Sequence, residues 1–179
     1  MRIEDDLLAV RCQLGERATF DELIGRWHEP LWKYARRLTG DDDAAADTVQ
    51  EAWLRVLRGI ARLREPARLR AWLFGITRRV VMDRLRVRYS EPAMVALEDV
   101  DVAGADGARE LADDVLLLHE ELNQLPLLER EVLVLFYLRE LTLNELFEVL
   151  GVPIGTVKSR LFRACHSLRR QLEGKGVQT

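Results

Sequence analysis

The chain has few of the side chains from which catalytic and metal sites are built. It contains two cysteines, Cys12 and Cys165, and three histidines, His28, His119 and His166, scattered over 179 residues. Neither cysteine has a second ligand at zinc-type spacing, and no phosphate-binding loop or nucleophile motif accompanies the histidines. The sequence therefore predicts a protein that is not an enzyme and that holds no metal and no cofactor.

Long apolar runs are missing as well. No stretch has the length of a membrane span, and no signal peptide is recognisable. The scarcity of cysteine is typical of a reducing compartment. We therefore expect a cytoplasmic protein without membrane insertion.

The chain has no strong net charge of either sign. Its net charge of −3 nevertheless hides an alternation of acidic and basic segments along the sequence. Residues 1–51 carry a net charge of −5, residues 52–90 of +9, residues 91–150 of −12 and residues 151–179 of +5. Two basic segments thus alternate with two acidic ones. This pattern predicts two separate surfaces that attract anions such as nucleic acid.

The alternation of apolar and polar residues that marks a β-strand is also missing, so we predict an all-α fold. A capping box at Thr19–Glu22 is expected to begin a helix that Gly40 closes, and residues 41–43 supply acidic side chains to the start of the next helix. A third helix is predicted over residues 71–88, with Trp72, Leu73, Ile76, Val80 and Leu85 facing inward.

Composition divides the chain into two small helical domains. Residues 90–111 contain proline, glycine and repeated acidic residues without an apolar period, which is typical of a flexible acidic linker. The predicted domains are therefore residues 1–89 and 112–179.

Residues 141–168 read as a helix-turn-helix, in which Gly151 supplies the turn between two helices. Val157, Leu161 and Ala164 recur at the spacing of a buried face. The side chains left outward are Thr156, Lys158, Ser159, Arg160 and Arg163. Cations and hydroxyls near a helix start suit phosphates and major-groove base edges. The alternative is an ordinary helical hairpin with a solvated face.

Three segments together resemble a bacterial sigma factor of the extracytoplasmic-function (ECF) group, a branch of the sigma-70 family. The resemblance is carried by RRLTGDDDAAADTVQEAWLRVLRGI, RAWLFGITRRVVMDRLR and LPLLEREVLVLFYLRELTLNELFEVLGVPIGTVKSRLFRA, in that order. It implies a protein that binds core RNA polymerase, through the clamp of the beta-prime subunit and through the beta subunit, and that directs it to promoter DNA. It also implies that the first domain is sigma region 2 and the second is sigma region 4.

The resemblance also implies three sets of contact residues. The set expected to bind the polymerase is Asp47, Gln50, Glu51, Trp53 and Leu54. The set expected to hold the opened minus-10 element is Arg64, Arg68, Arg78, Arg79, Arg84 and Arg86. The set expected to read the minus-35 duplex is Thr142, Pro153, Thr156, Lys158, Ser159, Arg160 and Arg163. Trp72 and Phe74 are further candidates for stacking on an unpaired base.

The chain departs from the usual pattern of the group at several positions. Arg79 stands where asparagine is common, which places the preferred minus-10 sequence in doubt. The second domain is unusually apolar at Leu127, Leu128, Phe136, Phe147 and Phe162. One explanation is an enlarged core, because cores tolerate volume-balanced change. The other is an exposed apolar patch that binds an inhibitory partner or the first domain.

Regulation and two other functional classes stay open at this point. Many members of the group are held by an anti-sigma factor, although no residue here identifies one, and Thr48 is a candidate phosphorylation site. A helix-turn-helix regulator that binds duplex operators would share the second domain. An anti-activator or scaffold would use the helices only for protein contacts. The polymerase-type helix and the RAWLF segment favour the sigma factor over both.

Overall fold

The computed structural model describes residues 2–90 and 118–175, and all regular structure in these two ranges is helical. The all-α prediction is therefore confirmed. Apart from residue 90, the predicted linker lies outside the described residues.

The first range folds into four α-helices joined by short turns. They are α1 Arg2–Gln13, α2 Arg17–Thr39, α3 Asp42–Gly59 and α4 Leu69–Ser90, with 3₁₀ turns at Ile60–Arg62 and Pro66–Arg68 between α3 and α4. The sequence predicted the last three of these helices and missed α1.

The ends of these helices follow from local chemistry. Gly40 ends α2 in the left-handed conformation, with φ 76°, as expected of a glycine after a helix. The Asp41 side chain then accepts a hydrogen bond from the Ala44 amide and caps α3. The predicted capping box at Thr19 is wrong, because α2 already begins at Arg17 and the buried Thr19 hydroxyl donates to Glu16 instead.

Aromatic side chains fill the centre of this bundle. Phe74 is only 1% exposed and meets Tyr34 and Trp27 edge to face. The suggestion that Phe74 stacks on an unpaired base is therefore wrong. Trp72, by contrast, is half-buried. The remaining inward residues of α4 agree with the prediction, since Leu73, Ile76 and Val80 are buried and Leu85 is half-buried.

The second range contains the helix-turn-helix. A helical segment, α5, is described over residues 118–124. It is followed by α6 Leu127–Leu133, which continues as a π-helical turn Val134–Leu138, by α7 Leu143–Leu150 and by α8 Ile154–Gly174.

The two halves of the chain pack against each other. Helix α7 lies along α4, and α6 contacts α2. The buried apolar residues of both halves form one continuous cluster. Within the described ranges, no helix combines the length and hydropathy that crossing a lipid bilayer requires.

Candidate nucleic-acid interface

The helix-turn-helix is built by two local signals that the sequence also shows. Thr142 and Glu145 form a reciprocal capping box at the start of α7, with the Thr142 amide donating to the Glu145 carboxylate at 2.7 Å and the Glu145 amide donating to the Thr142 hydroxyl at 3.3 Å. Gly151 then turns the chain in the left-handed conformation, with φ 65°. The predicted helix-turn-helix is therefore present, and Pro153 precedes the first residue of α8.

Helix α8 presents a polar and cationic face to solvent. Val157 and Ala164 are buried on its opposite side. The predicted minus-35 residues lie as follows: Pro153, Lys158, Ser159 and Arg163 are exposed, Thr156 and Arg160 are half-buried, and Thr142 is exposed at the α7 cap. Arg163 lies 3.6 Å from the Glu129 carboxylate, which orients its guanidinium without covering it.

The sequence did not assign Phe162 to this face, although the structure places it there. Its side chain is 74% exposed, and its ring lies parallel to that of His166 at 6.4 Å between centroids. Phe147 is also 48% exposed. An enlarged core therefore fails to explain either residue. It does fit Phe136, which is half-buried against the core.

The two leucines after Pro126 also differ in whether they are buried. Leu127 packs against the core, whereas Leu128 is exposed.

A second cationic surface surrounds a cavity of about 390 Å³ between α3 and α4. Its lining comprises Arg55, Gly59, Arg62, Trp72, Ile76 and Arg79. A Cβ atom on Gly59 would come within 3.1 Å of the Trp72 ring, so a side chain there would press on the indole. Trp72 thus offers part of its ring to an open space that basic side chains surround. Only Arg79 of the three arginines was predicted, because Arg55 and Arg62 belong to the preceding helix and turn.

The other arginines assigned to the minus-10 element have different surroundings. Arg64 is exposed, and Arg86 lies 3.8 Å from Asp83. Arg84 lies 3.3 Å from Asp47 and 3.6 Å from Glu51. Arg84 therefore joins the predicted DNA surface to the predicted polymerase surface.

Two of the six arginines contact the second half of the chain. Arg68 lies 3.3 Å from the Glu148 carboxylate of α7. Arg78 donates to the buried Glu131 carboxylate of α6 at 2.9 Å through Nε and at 3.3 Å through Nη2. The structure therefore separates Arg68 and Arg78 from the arginines at the cavity.

The outer face of α3 carries most of the residues predicted to bind the polymerase. Asp47, Gln50 and Leu54 are exposed, and Glu51 is half-buried and paired with Arg55 at 2.6 Å. Leu57 is 56% exposed beside them, although it follows the buried Trp53 and Val56 at helical spacing. It lies at the edge of the apolar stripe of α3, about a quarter turn from the stripe's centre. At such a position, helical spacing alone does not determine whether a side chain is buried or exposed.

Two residues of α3 do not reach this face. Trp53 is 8% exposed, lies edge-on to Phe20 and donates from Nε1 to the His28 ring at 3.3 Å. A direct contact between Trp53 and a partner does not fit this burial. The Thr48 hydroxyl is buried and donates to the Ala44 carbonyl, so it is not accessible for phosphorylation.

Comparison with known proteins gives the family. Residues 23–90 match the model of sigma-70 region 2, and residues 122–170 match that of sigma-70 region 4. The chain is 34% identical over 96% of its length to the ECF RNA polymerase sigma factor SigM of Mycobacterium tuberculosis, of which it covers 85%. It belongs to the ECF sigma factors.

Other relatives and solved structures agree with this assignment. The sigma factor is 29% identical to SigW of Bacillus subtilis over 88% of its own chain and 91% of that protein. Among solved structures, it resembles the sigma factor RpoE of Bartonella quintana in complex with the anti-sigma factor NepR, with a TM-score of 0.75 and 27% identity over 86% of this chain and 96% of that one. CnrH in complex with the cytosolic domain of CnrY shares the fold, with a TM-score of 0.71 and 24% identity over 95% of this chain and 97% of that one.

Proposed function

We propose that this ECF sigma factor joins core RNA polymerase through the outer face of α3, holds the displaced minus-10 strand at the Trp72 cavity and reads the minus-35 duplex with α8. The observation that carries the proposal is the presence, on one chain, of an exposed α3 face and two separate cationic surfaces. The proposed work of the protein is binding.

The α3 face is suited to a partner helix that carries basic residues. Its leucines, Leu54 and Leu57, supply apolar area, and Asp47 and Glu51 supply carboxylates. Both carboxylates already pair with arginines of this chain, so a partner's arginines would exchange with them at modest cost. The beta-prime clamp is the proposed partner.

The Trp72 cavity is suited to a base that has left the duplex. An aromatic surface can stack on any base, and cations along the rim bind the backbone phosphates. Donors from Arg62 and Arg79 favour a base that presents two adjacent acceptors, which describes the O6 and N7 edge of guanine. We therefore propose that Arg79, in place of the usual asparagine, shifts the preferred base toward guanine.

The exposed face of α8 is suited to the major groove. Lys158, Arg160 and Arg163 can donate to guanine edges or phosphates, and Ser159 and Thr156 to phosphates. Phe162 lies among them and suits the methyl group of thymine. Because these contacts displace counterions from DNA, promoter binding should weaken steeply as salt rises.

An anti-sigma factor is the proposed regulatory partner. The similar structure of RpoE contains the anti-sigma factor NepR, at 27% identity to this chain. A purified complex from the native cell, analysed for a bound second chain, tests this proposal.

Three variants test the functional assignment. Leu54→Glu should abolish pull-down of core polymerase, because it places a charge in the apolar part of the α3 face. Arg163→Ala should leave the pull-down intact and lower run-off transcription from a promoter with a minus-35 element. Leu7→Glu is the matched control, because Leu7 is similarly exposed and belongs to α1, which carries no residue of the three surfaces.

A folded wild-type protein that fails to join core polymerase in dilute buffer would reject the proposal. Equal pull-down by wild type and Leu54→Glu would reject only the assignment of the α3 face as the polymerase contact.

A further inference from the structure

A cluster of cationic side chains lies where α2 meets the second half of the chain. Arg37, in the last turn of α2, and Arg139, directly after the π-helical turn, are both half-buried. From α6, the Arg130 guanidinium donates to the Arg37 carbonyl at 3.2 Å and to the Leu125 carbonyl at 3.3 Å. His119 completes this Arg37 cluster, with its Nε2 atom against Arg37 Nη2. None of these cations belongs to the sets assigned to the polymerase or the promoter.

The positive charges of the Arg37 cluster act on one another. Burial, and then the charges of Arg139, Arg36 and Arg130, lower the pKa of the Arg37 guanidinium below its ordinary value. Among the described residues, neither Arg37 nor Arg139 forms an ion pair. The cluster therefore gathers like charges without a carboxylate bound to these two arginines.

The carboxylates closest to the cluster are engaged elsewhere or point to solvent. Asp42 and Glu29 each pair with another cation of α2. The charge of Glu29 raises the pKa of Arg139, but burial lowers it more. Glu140 follows Arg139 in sequence, and its side chain is exposed. The chain thus leaves the positive charge of the cluster only partly balanced.

Arg139 also holds a hydrogen-bond donor without an acceptor. Its Nε atom is buried and has no hydrogen-bond partner in the part of the chain that the structure describes. A buried donor on a charged group is costly to leave in this state. Guanidinium groups match the oxygens of phosphate in geometry and charge, so an anion of this kind would satisfy both the donor and the excess charge.

We propose that the Arg37 cluster binds a phosphate group, either as the free ion or at the end of a nucleotide. Arg139 donates to it from Nε, and Arg37 donates through the nitrogens that do not face His119. Arg130 adds its charge while its own donors stay on backbone carbonyls. A phosphate group suits this place better than a carboxylate, because it carries close to two negative charges and three acceptor oxygens.

The site takes its residues from both halves of the chain. Arg37 belongs to the first half and Arg139 to the second, so the site is complete only while the halves are packed together. A ligand that binds this form and not the unfolded chain stabilises it by mass action. The thermal midpoint of the full chain should therefore rise with the concentration of phosphate.

The test is calorimetric titration of the full chain with inorganic phosphate at about pH 7.5, against chloride at the same ionic strength. Saturable binding of phosphate, together with a raised thermal midpoint, is expected. Titrations with ADP and with adenosine separate the two sources of the phosphate group. Binding of ADP without binding of adenosine would assign the end of a nucleotide, and binding of phosphate without ADP would assign the free ion.

Arg139→Gln should lower the affinity for inorganic phosphate by roughly tenfold or more, because it removes a charged donor. Arg170→Gln is the matched control, because it makes the same change of charge at an exposed position of α8. It should bind phosphate like wild type. Circular dichroism checks the fold of each variant, and if Arg139→Gln loses helix, Arg37→Gln decides by the same titration.

Three results would overturn the proposal. The first is a wild type that binds neither phosphate nor ADP at matched ionic strength. The second is a folded Arg139→Gln, or Arg37→Gln in its place, with the affinity of wild type. The third is an equal loss of affinity in Arg170→Gln, which would show a general effect of net charge instead of a site.

Discussion

Gly59 determines how much room the Trp72 ring leaves in the cavity between α3 and α4. A Cβ atom at this position would lie 3.1 Å from the indole, which is closer than ordinary van der Waals contact. The size of the cavity therefore depends on the absence of one side chain.

Gly59→Val should reduce promoter opening while leaving the pull-down of core polymerase unchanged, because the branched side chain would press on the indole in the lining of the cavity. Permanganate reactivity of unpaired thymines measures the opening. Gly25→Ala is the control, since a Cβ atom there meets no neighbour, and it should stabilise the fold by about 0.5–1 kcal/mol. Normal opening by Gly59→Val would show that no base enters the cavity.

Phe162 and Phe136 test the two explanations for the apolar second half. Phe162→Ser should change the free energy of unfolding by less than about 0.5 kcal/mol, because the ring is mostly exposed. Phe136→Ser should cost clearly more, because its ring packs against the core and against Tyr137. Urea titrations of both variants provide the comparison, and equal losses would contradict the placement of Phe162.

At the scale of elements, the start of α7 depends on one hydroxyl. Thr142→Ala should lower the free energy of unfolding by about 0.5–2 kcal/mol, because the α7 capping box loses its side-chain acceptor. Asn144→Ala, at an exposed position in the same turn, is the control and should have little effect. Thermal unfolding of the three proteins would show whether the cap contributes; a Thr142→Ala curve that overlays wild type would show that it does not.

The helix-turn-helix could be predicted because its signals are local. Thr142, Glu145 and Gly151 act within a few residues, and each has the conformation that its chemistry favours. Helix α1 was missed because its apolar residues do not form a clear stripe, as exposed Leu7 and Val10 beside buried Leu8 show. The burial of α1 depends on helices that follow it in sequence.

The sequence likewise predicted the exposed residues of the candidate site but not its long-range contacts. Spacing and resemblance selected Lys158, Arg163 and Leu54, and all three side chains are exposed. They could not show that Arg78 pairs with Glu131, because the two residues are 53 positions apart and only packing brings them together. Arg55 and Arg62 at the Trp72 cavity were missed for the same reason, whereas the resemblance had selected Arg79.

At the scale of the whole molecule, we expect the contact between His119 and Arg37 to make the packing of the halves sensitive to acid. Burial, and then the charge of Arg37, lower the pKa of His119 below its ordinary value near 6.5. Arg37 is in turn near Arg36, Arg130 and Arg139. The neighbouring Glu120 and Glu121 both lie near Lys175.

Because the folded-state pKa is lowered, the unfolded chain binds more protons than the folded one between that value and about 6.5. Stability should therefore be fully present above this window and decline as the pH falls through it. Urea titrations at pH 7.5 and 5.5 measure the loss, and His119→Gln should reduce it. An identical pH dependence in wild type and His119→Gln would place the titrating group elsewhere.

The outer face of α3 leaves Leu54 and Leu57 in contact with water. Neighbouring exposed apolar side chains favour self-association in a chain that has not met its partner. Copies made in excess of core polymerase should therefore aggregate sooner than copies that have joined it.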